Sequence, residues 1–257
     1  MRSVLASAQH VGPLRVQKML HPEGDDPCHA IIVHPPAGIA SADQLALEVR
    51  VRSNAHVLLT TPGATKWYRS AGPTARCEAR LCVETGAALE YLPREAIVFD
   101  GARARSMLEM DVAPGGRLLG WELWCLGRTA SGERFSAGHL QLETRLTCAG
   151  RMRWQERGAL AGGTSLLQMA AGFDGQPVFG TLWAAGPEPA RELLDECRAV
   201  PLDHGGRGAL TVMPGLLLAR YLGPSTEQGF AWFTALWSRL RPAYLGRAAV
   251  PPRVWSA

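Results

Sequence analysis

Three carboxylates stand where apolar residues are expected. Glu90 interrupts AALEYL (residues 87–92), Glu122 interrupts LLGWELWCL (residues 118–126), and Asp100 ends the apolar run Ile97-Val98-Phe99. A lone carboxylate in a low-dielectric interior must be paired, protonated or wetted. One expectation is an arginine partner, with Arg94, Arg103, Arg128 and Arg134 as candidates. The alternative is a water-filled passage lined by acidic oxygens. Such oxygens bind a divalent cation weakly and let it go, whereas an imidazole or thiolate cage would trap a soft transition metal.

The other groups able to do chemistry form no recognisable set. The seven histidines are His10, His21, His29, His34, His56, His139 and His204, and none lies in H-x-x-H or H-E-x-x-H. His34, just before Pro35-Pro36, is the histidine to watch for a metal; its structural alternative is a hydrogen-bonded strand end. The six cysteines contain no C-x-x-C pair and read as reduced, mostly buried thiols. Cys28 and His29 are adjacent, so a strand points them to opposite faces, and the same holds for Cys77 and Cys82. PGATK lacks the second glycine of a phosphate loop, and Lys66 is followed by Trp67 instead of a hydroxyl. G-x-S-x-G and G-x-G-x-x-G are absent. No tight metal site, no tightly bound cofactor and no catalytic residue is expected.

The elements that must position these residues are strands. Leu45, Leu47, Val49 and Val51 alternate with Gln44, Glu48, Arg50 and Arg52, and Cys77, Ala79, Leu81 and Val83 alternate with Arg76, Glu78, Arg80 and Glu84. A period of two makes half-buried strands, and the turn signals Pro62-Gly63, Gly72-Pro73 and Gly115-Gly116 separate them. The segments around Glu90 and Glu122 are apolar on both faces and read as strands covered on both sides. The pattern predicts a mainly β chain: stacked sheets in a sandwich or helix-like coil, with two α-helices near the C-terminus. A β-rich body spans residues 12–185 and a mixed helical region residues 186–245, within a single unit over 1–257. The first helix is expected at residues 190–200. The second follows a strand at 216–221 and starts at Ser225, with Gln228 completing a capping box. Phe230, Trp232, Phe233, Leu236, Trp237 and Leu240 share one side of it. No internal repeat or low-complexity tract is visible.

Composition excludes some classes. The net charge of the 257 residues is +4, Lys18 and Lys66 are the only lysines, and the arginines form no basic run, so nucleic acid is not an expected partner. No apolar run is long enough to span a bilayer and the first residues lack a signal-peptide core. A cytoplasmic protein without a membrane partner is the expectation.

Six blocks carry a family resemblance: GPLRVQK (12–18), CHAIIVHPPAGI (28–39), LLTTPGATKWYRS (58–70), LEYLPREAIVFDGA (89–102), GWELWCLGRTASGERF (120–135) and PVFGTLW (177–183). In this order and spacing they resemble the UreD/UreH family of urease accessory proteins, over residues 12–185 and fading beyond. The resemblance implies a non-enzymatic role. The family binds apo-urease, joins a helical accessory protein, UreF, and a nickel-carrying GTPase, UreG, and helps deliver Ni²⁺ to the urease active site. It also implies a β-rich stack with two helices and an internal tunnel. Glu90, Asp100, Glu122 and His34 are then expected along the nickel passage. Lys66, Trp67, Tyr68 and Arg69, with Trp232 and Trp237 on the last helix, are expected to grip partner proteins. The bland alternative for both aromatic sets is burial within this chain. Family members usually carry a strand-like segment ahead of the GPLRVQ block, so the resemblance implies an incomplete sheet edge or a misassigned start. Two rival readings remain: an enzyme built around Glu90, Asp100 and Glu122, and a scaffold that never meets nickel.

Overall fold

The computed structural model describes residues 2–202 and 205–256; His204 lies outside the described residues. The chain winds into a coil of strands. After the short β1 (Arg15–Val16), the first turn is β2 (Cys28–Val33), β3 (Gly38–Ile39) and β4 (Gln44–Val51). The second is β5 (His56–Thr60), β6 (Thr65–Trp67) and β7 (Ala75–Val83), and the third is β8 (Ala88–Leu92), β9 (Ala96–Val98) and β10 (Arg103–Val112). β11 (Arg117–Leu126) and β12 (His139–Cys148) open a fourth.

Each strand lies parallel on the equivalent strand of the previous turn. Residues 28, 57, 89 and 118 stack in register on the first face, and residues 44, 76, 105 and 141 on the second. A narrow ladder of β3, β6 and β9 forms the corner between them. The repeat absent from the sequence is therefore present in the backbone path. Stacking needs matched hydrogen bonds and apolar side chains of fitting size at each level, not the same residues.

The coil then unwinds into antiparallel strands. β13 (Arg151–Ala161) returns along β12 and ends the second sheet in the order β13-β12-β10-β7-β4. The first sheet grows past β11 through β14 (Val178–Ala185), β16 (Leu216–Gly223) and β15 (Arg207–Met213). Helix α1 (Arg191–Arg198) precedes β15, and α2 (Thr226–Leu245) follows β16. The backbone N–H of Gln228 donates to Ser225 Oγ at the start of α2, and Gly246 closes the helix in the left-handed conformation.

Alternation sorts the core into an outside and an inside. Trp121, Leu123, Leu182, Phe233, Leu236, Trp237 and Leu240 form one cluster, in which α2 packs on the outer face of the first sheet. Between the sheets are two further clusters. One holds Leu81, Leu89, Leu108, Leu118, Leu146, Trp183 and Leu218, and the other Trp67, Val98, Ala104, Trp124, Leu126, Leu140 and Leu160. These two apolar plugs occupy opposite ends of the strands, and the stretch between them holds the site. Among the described residues no helix is long and apolar enough to cross a membrane.

Candidate functional site: a polar band between two sheets

On β11 the inward face carries Leu118, Gly120, Glu122, Trp124 and Leu126 by its period of two. Leu118 belongs to one plug and Trp124 to the other, which leaves Glu122 in the gap. Its register neighbour on β14 is Thr181, whose neighbour on β16 is Arg220. On the opposing sheet Thr144 pairs in register with Glu156. All five line one cavity of about 560 Å³, walled by Trp124, Phe173, Phe179 and Trp183. Arg220 Nη1 lies 2.9 Å from Glu156 Oε1 and ties the two sheets together at the rim. Tyr91, on the inward face of β8, carries the band deeper; the Gly120 position leaves no room for a side chain, because a Cβ would lie 2.9 Å from the Tyr91 carbonyl oxygen.

Glu122 is the carboxyl for which this interior supplies no partner. No hydrogen bond or ion pair reaches it among the described residues, and it stays partly accessible from the cavity. Burial, with the Glu156 charge adding to it, pushes its carboxyl up to about 8. The neighbouring groups follow suit. Burial, then the Glu122 and Glu78 charges, raises the Cys77 thiol to about 12. Burial and then the charges of Glu122 and Cys77 raise the Tyr91 phenol well above its ordinary value.

Glu90 sits one strand away, opposite Leu119, and points to the other side of the sheet. It is fully buried at 0% exposure, and its bonds are complete. Arg241 Nε donates to both carboxylate oxygens at 3.2 and 2.9 Å, and Trp237 Nε1 donates to Oε2 at 2.6 Å. His56 Nε2 lies 2.8 Å from Oε1. Arg241 also spans both oxygens of Glu23, at 2.8 and 2.9 Å, and Glu23 meets His29 Nε2 at 2.9 Å. Burial alone would raise the Glu90 carboxyl, but the His56 hydrogen bond and the Arg241 charge outweigh it and the net shift is downward. The expected arginine partners were Arg94, Arg103, Arg128 and Arg134. The partner is Arg241, supplied by a helix 151 residues further along the chain.

Asp100 caps a corner. Its Oδ1 accepts from the Ser136 N–H at 2.7 Å, the Ser136 hydroxyl at 2.9 Å and the Ala137 N–H at 2.9 Å, and its Oδ2 lies 3.4 Å from Arg69 Nη2. Burial opposes ionisation, but these donors more than offset it and hold its carboxyl below the usual range. His34 follows the last residue of β2 and opens a turn closed by the Ala37 N–H bond to its carbonyl, with β5 and β8 between β2 and β11. The four residues expected to share a passage thus occupy four places: a saturated ion cluster, a corner cap, a turn and the open cavity.

The expected grip residues are mostly interior. Trp67, Trp232 and Trp237 are 2%, 4% and 1% exposed, and this chain covers their rings. The wide stripe of α2 is core because the sheet beneath it is wide: β11, β14 and β16 all present apolar side chains to it. The TTPGATKWYRS block is a corner of the coil. Thr60 Oγ1 donates to the Leu92 carbonyl at 2.6 Å, the Arg94 N–H donates to Thr61 Oγ1, and the Thr65 N–H donates to the Glu95 carbonyl. The Tyr68 ring packs edge-on to Phe99 at 5.1 Å and over Gly38, where any Cβ would clash. Lys66 and Tyr68 are half-buried and Arg69 is exposed.

Sequence comparison decides the family. The model of the UreD urease accessory protein matches residues 1–256. The chain belongs to the UreD family of urease accessory proteins. It is 50% identical over 254 residues to the urease accessory protein UreD of Azoarcus sp. strain BH72, covering 99% of this chain and 89% of the relative. The counterpart in Pseudomonas fluorescens strain Pf-5 is also 50% identical, over 96% of this chain and 88% of its own length. That of Pseudomonas aeruginosa strain PAO1 is 48% identical over the same shares. The match includes the helical third, where the resemblance of the six blocks fades. The family name is that of an accessory protein to urease, not of a catalyst.

The residues missed by sequence reasoning were Arg241 and Glu23 in the buried cluster, and Glu156 and Arg220 at the cavity rim. Arg220 carried a readable signal: it interrupts LLLARYLG as Glu122 interrupts LLGWELWCL. Glu156 shares the inward parity of Trp154 and Leu160. Arg241 carried none, since its burial depends on Glu90 and Glu23 meeting it from distant turns.

Proposed function

We propose that this UreD-family chain serves urease maturation by passing nickel through the polar band between its sheets. It does so while bound to apo-urease and to the helical and GTPase accessory proteins UreF and UreG, in the cytoplasm. The observation that carries the reading is the inward, unbonded Glu122 facing Thr181, Thr144, Glu156 and Arg220 across a cavity. A cargo cation needs oxygen ligands that are few, labile and open to water, and that set supplies them. Among the described residues no group of three or more His, Cys, Asp or Glu comes together as a cage. Nickel would meet single acidic oxygens in succession. An arriving cation takes the place of the Glu122 proton, which passes to water, because a nearby positive charge favours the ionised carboxylate. Arg220 guards the rim and must leave Glu156 for a cation to use that oxygen.

Partner contact falls to what the surface offers: Lys66, Tyr68 and Arg69 remain at the coil corner, while Trp232 and Trp237 support the sheet from below. The rival enzyme reading loses its basis because Glu90, Asp100 and Glu122 do not converge. The scaffold reading differs from ours only in whether nickel enters. The test is urease nickel content in cells lacking this chain, supplied with wild type or with Thr181→Trp, which fills the cavity. Under limiting nickel we expect wild type to restore metallation and Thr181→Trp to fail while still co-purifying with apo-urease. Full metallation with Thr181→Trp would leave the scaffold reading.

A further inference from the structure

The coil begins with two sheet edges, and they are treated differently. The edge of β2 is covered: β1 pairs Arg15 with Val33 and Val16 with Ile32, the Gln17 N–H bonds the Ile31 carbonyl, and Leu20 bridges to His29. The edge of β4 is bare. Among the described residues β4 pairs only with β7, and it ends the order of its sheet.

The direction of its free groups follows from the ladder. The Arg76 N–H bonds the Asp43 carbonyl and the Glu84 N–H bonds the Val51 carbonyl, so odd-numbered residues of β4 bond inward to β7. The N–H and C=O groups of Ala46, Glu48 and Arg50 therefore point off the edge. Among the described residues none of them has a strand or side chain as partner. The inward side chains Leu45, Leu47 and Val49 are only half-buried, and no proline, lysine or inward charge protects the edge.

From this edge we propose that β4 is a self-pairing strand, and that two copies of the chain join through it as an antiparallel pair about a two-fold axis. The charge pattern selects the second copy and the register. Edge bonding requires even residues to face even residues. With Val49 on the axis, Glu48 faces Arg50 of the second copy and Arg50 faces its Glu48, both on the outer surface. Leu47 then meets Val51 of the other copy, and Val49 meets Val49, which covers the half-buried row. A slide of one step either way sets Glu48 against Glu48, or Arg50 against Arg50 with Glu48 facing Arg52. A further slide pairs Glu48 with Ala46 and Arg50 with Gln44 in one direction and sets Arg50 against Arg52 in the other, so the Val49 register alone joins opposite charges with no like-charge pair.

Sedimentation of the full chain over a concentration series tests this. Wild type is expected to dimerise. Glu48→Arg and Arg50→Glu should each weaken association by about tenfold or more, since each sets like charges across both pairs. The double exchange Glu48→Arg with Arg50→Glu should restore it. Ala46→Pro, which removes only an outward N–H, should weaken it with the fold intact by circular dichroism. A monomeric wild type would overturn the proposal and leave the edge to a strand from another protein. A dimer indifferent to both single charge changes would overturn it as well.

Discussion

Glu90 and Glu122 are carboxyl groups on neighbouring strands of one sheet, the first fully buried and the second partly open to a cavity, and they differ in almost everything else. Glu90 looks outward under α2 and is bonded by Arg241, Trp237 and His56. Glu122 looks inward and is bonded by nothing among the described residues, with space in front of it. One fastens the last helix, the coil and the N-terminal segment together. The other is left costly to ionise. Unpartnered titratable groups facing a cavity cluster at functional sites, and this contrast is why the proposed passage runs past Glu122 and not Glu90.

The largest expected effect comes from breaking the closed cluster. Arg241→Ala leaves Glu90 and Glu23 without their shared cation and should cost about 3–5 kcal/mol in chemical denaturation. Trp237→Phe keeps an aromatic ring but removes the indole N–H from Glu90 and part of the buried ring volume, and should cost at least about 1–3 kcal/mol in the same assay. Glu122 should behave oppositely. Its folded carboxyl, near 8, lies above the 4.5 of an unperturbed one, so the folded chain holds the proton longer than the unfolded chain. Stability must then fall as pH rises from about 4.5 to 8. Glu122→Gln should flatten that slope with little change at the acid end, measured as unfolding midpoints across pH. Glu90 has the reverse sign: its shift is downward, so its contribution is lost as pH falls below the ordinary carboxylate range. The smallest effect is at the corner. Arg69→Ala removes an exposed pair with Asp100 and should cost no more than about 1 kcal/mol, since three other donors hold Asp100 in place.

Strand periodicity made the β body, the doubly covered strands β8 and β11, and the capped start of α2 legible in the residues themselves. The interruption of apolar strands marked Glu90 and Glu122 as unusual, but it could not tell them apart. Their fates depend on parity: in β8 Glu90 shares a face with the residues under α2, and in β11 Glu122 shares a face with Trp124. Which face meets a helix and which meets a second sheet is set by the winding of the coil, and that winding has no repeat in the side chains. The aromatic stripe of α2 was legible as a stripe. That Trp232 and Trp237 face this chain's own sheet followed only from the width that β14 and β16 add to it.

The most direct measurement is the nickel content of urease matured under limiting nickel with Glu122→Leu in place of the wild-type chain, with co-purification of the partners recorded alongside. The account predicts unchanged partner binding and a several-fold loss of nickel in urease, about what removing one of few oxygen ligands entails. Urease metallated to the wild-type level by Glu122→Leu would contradict it.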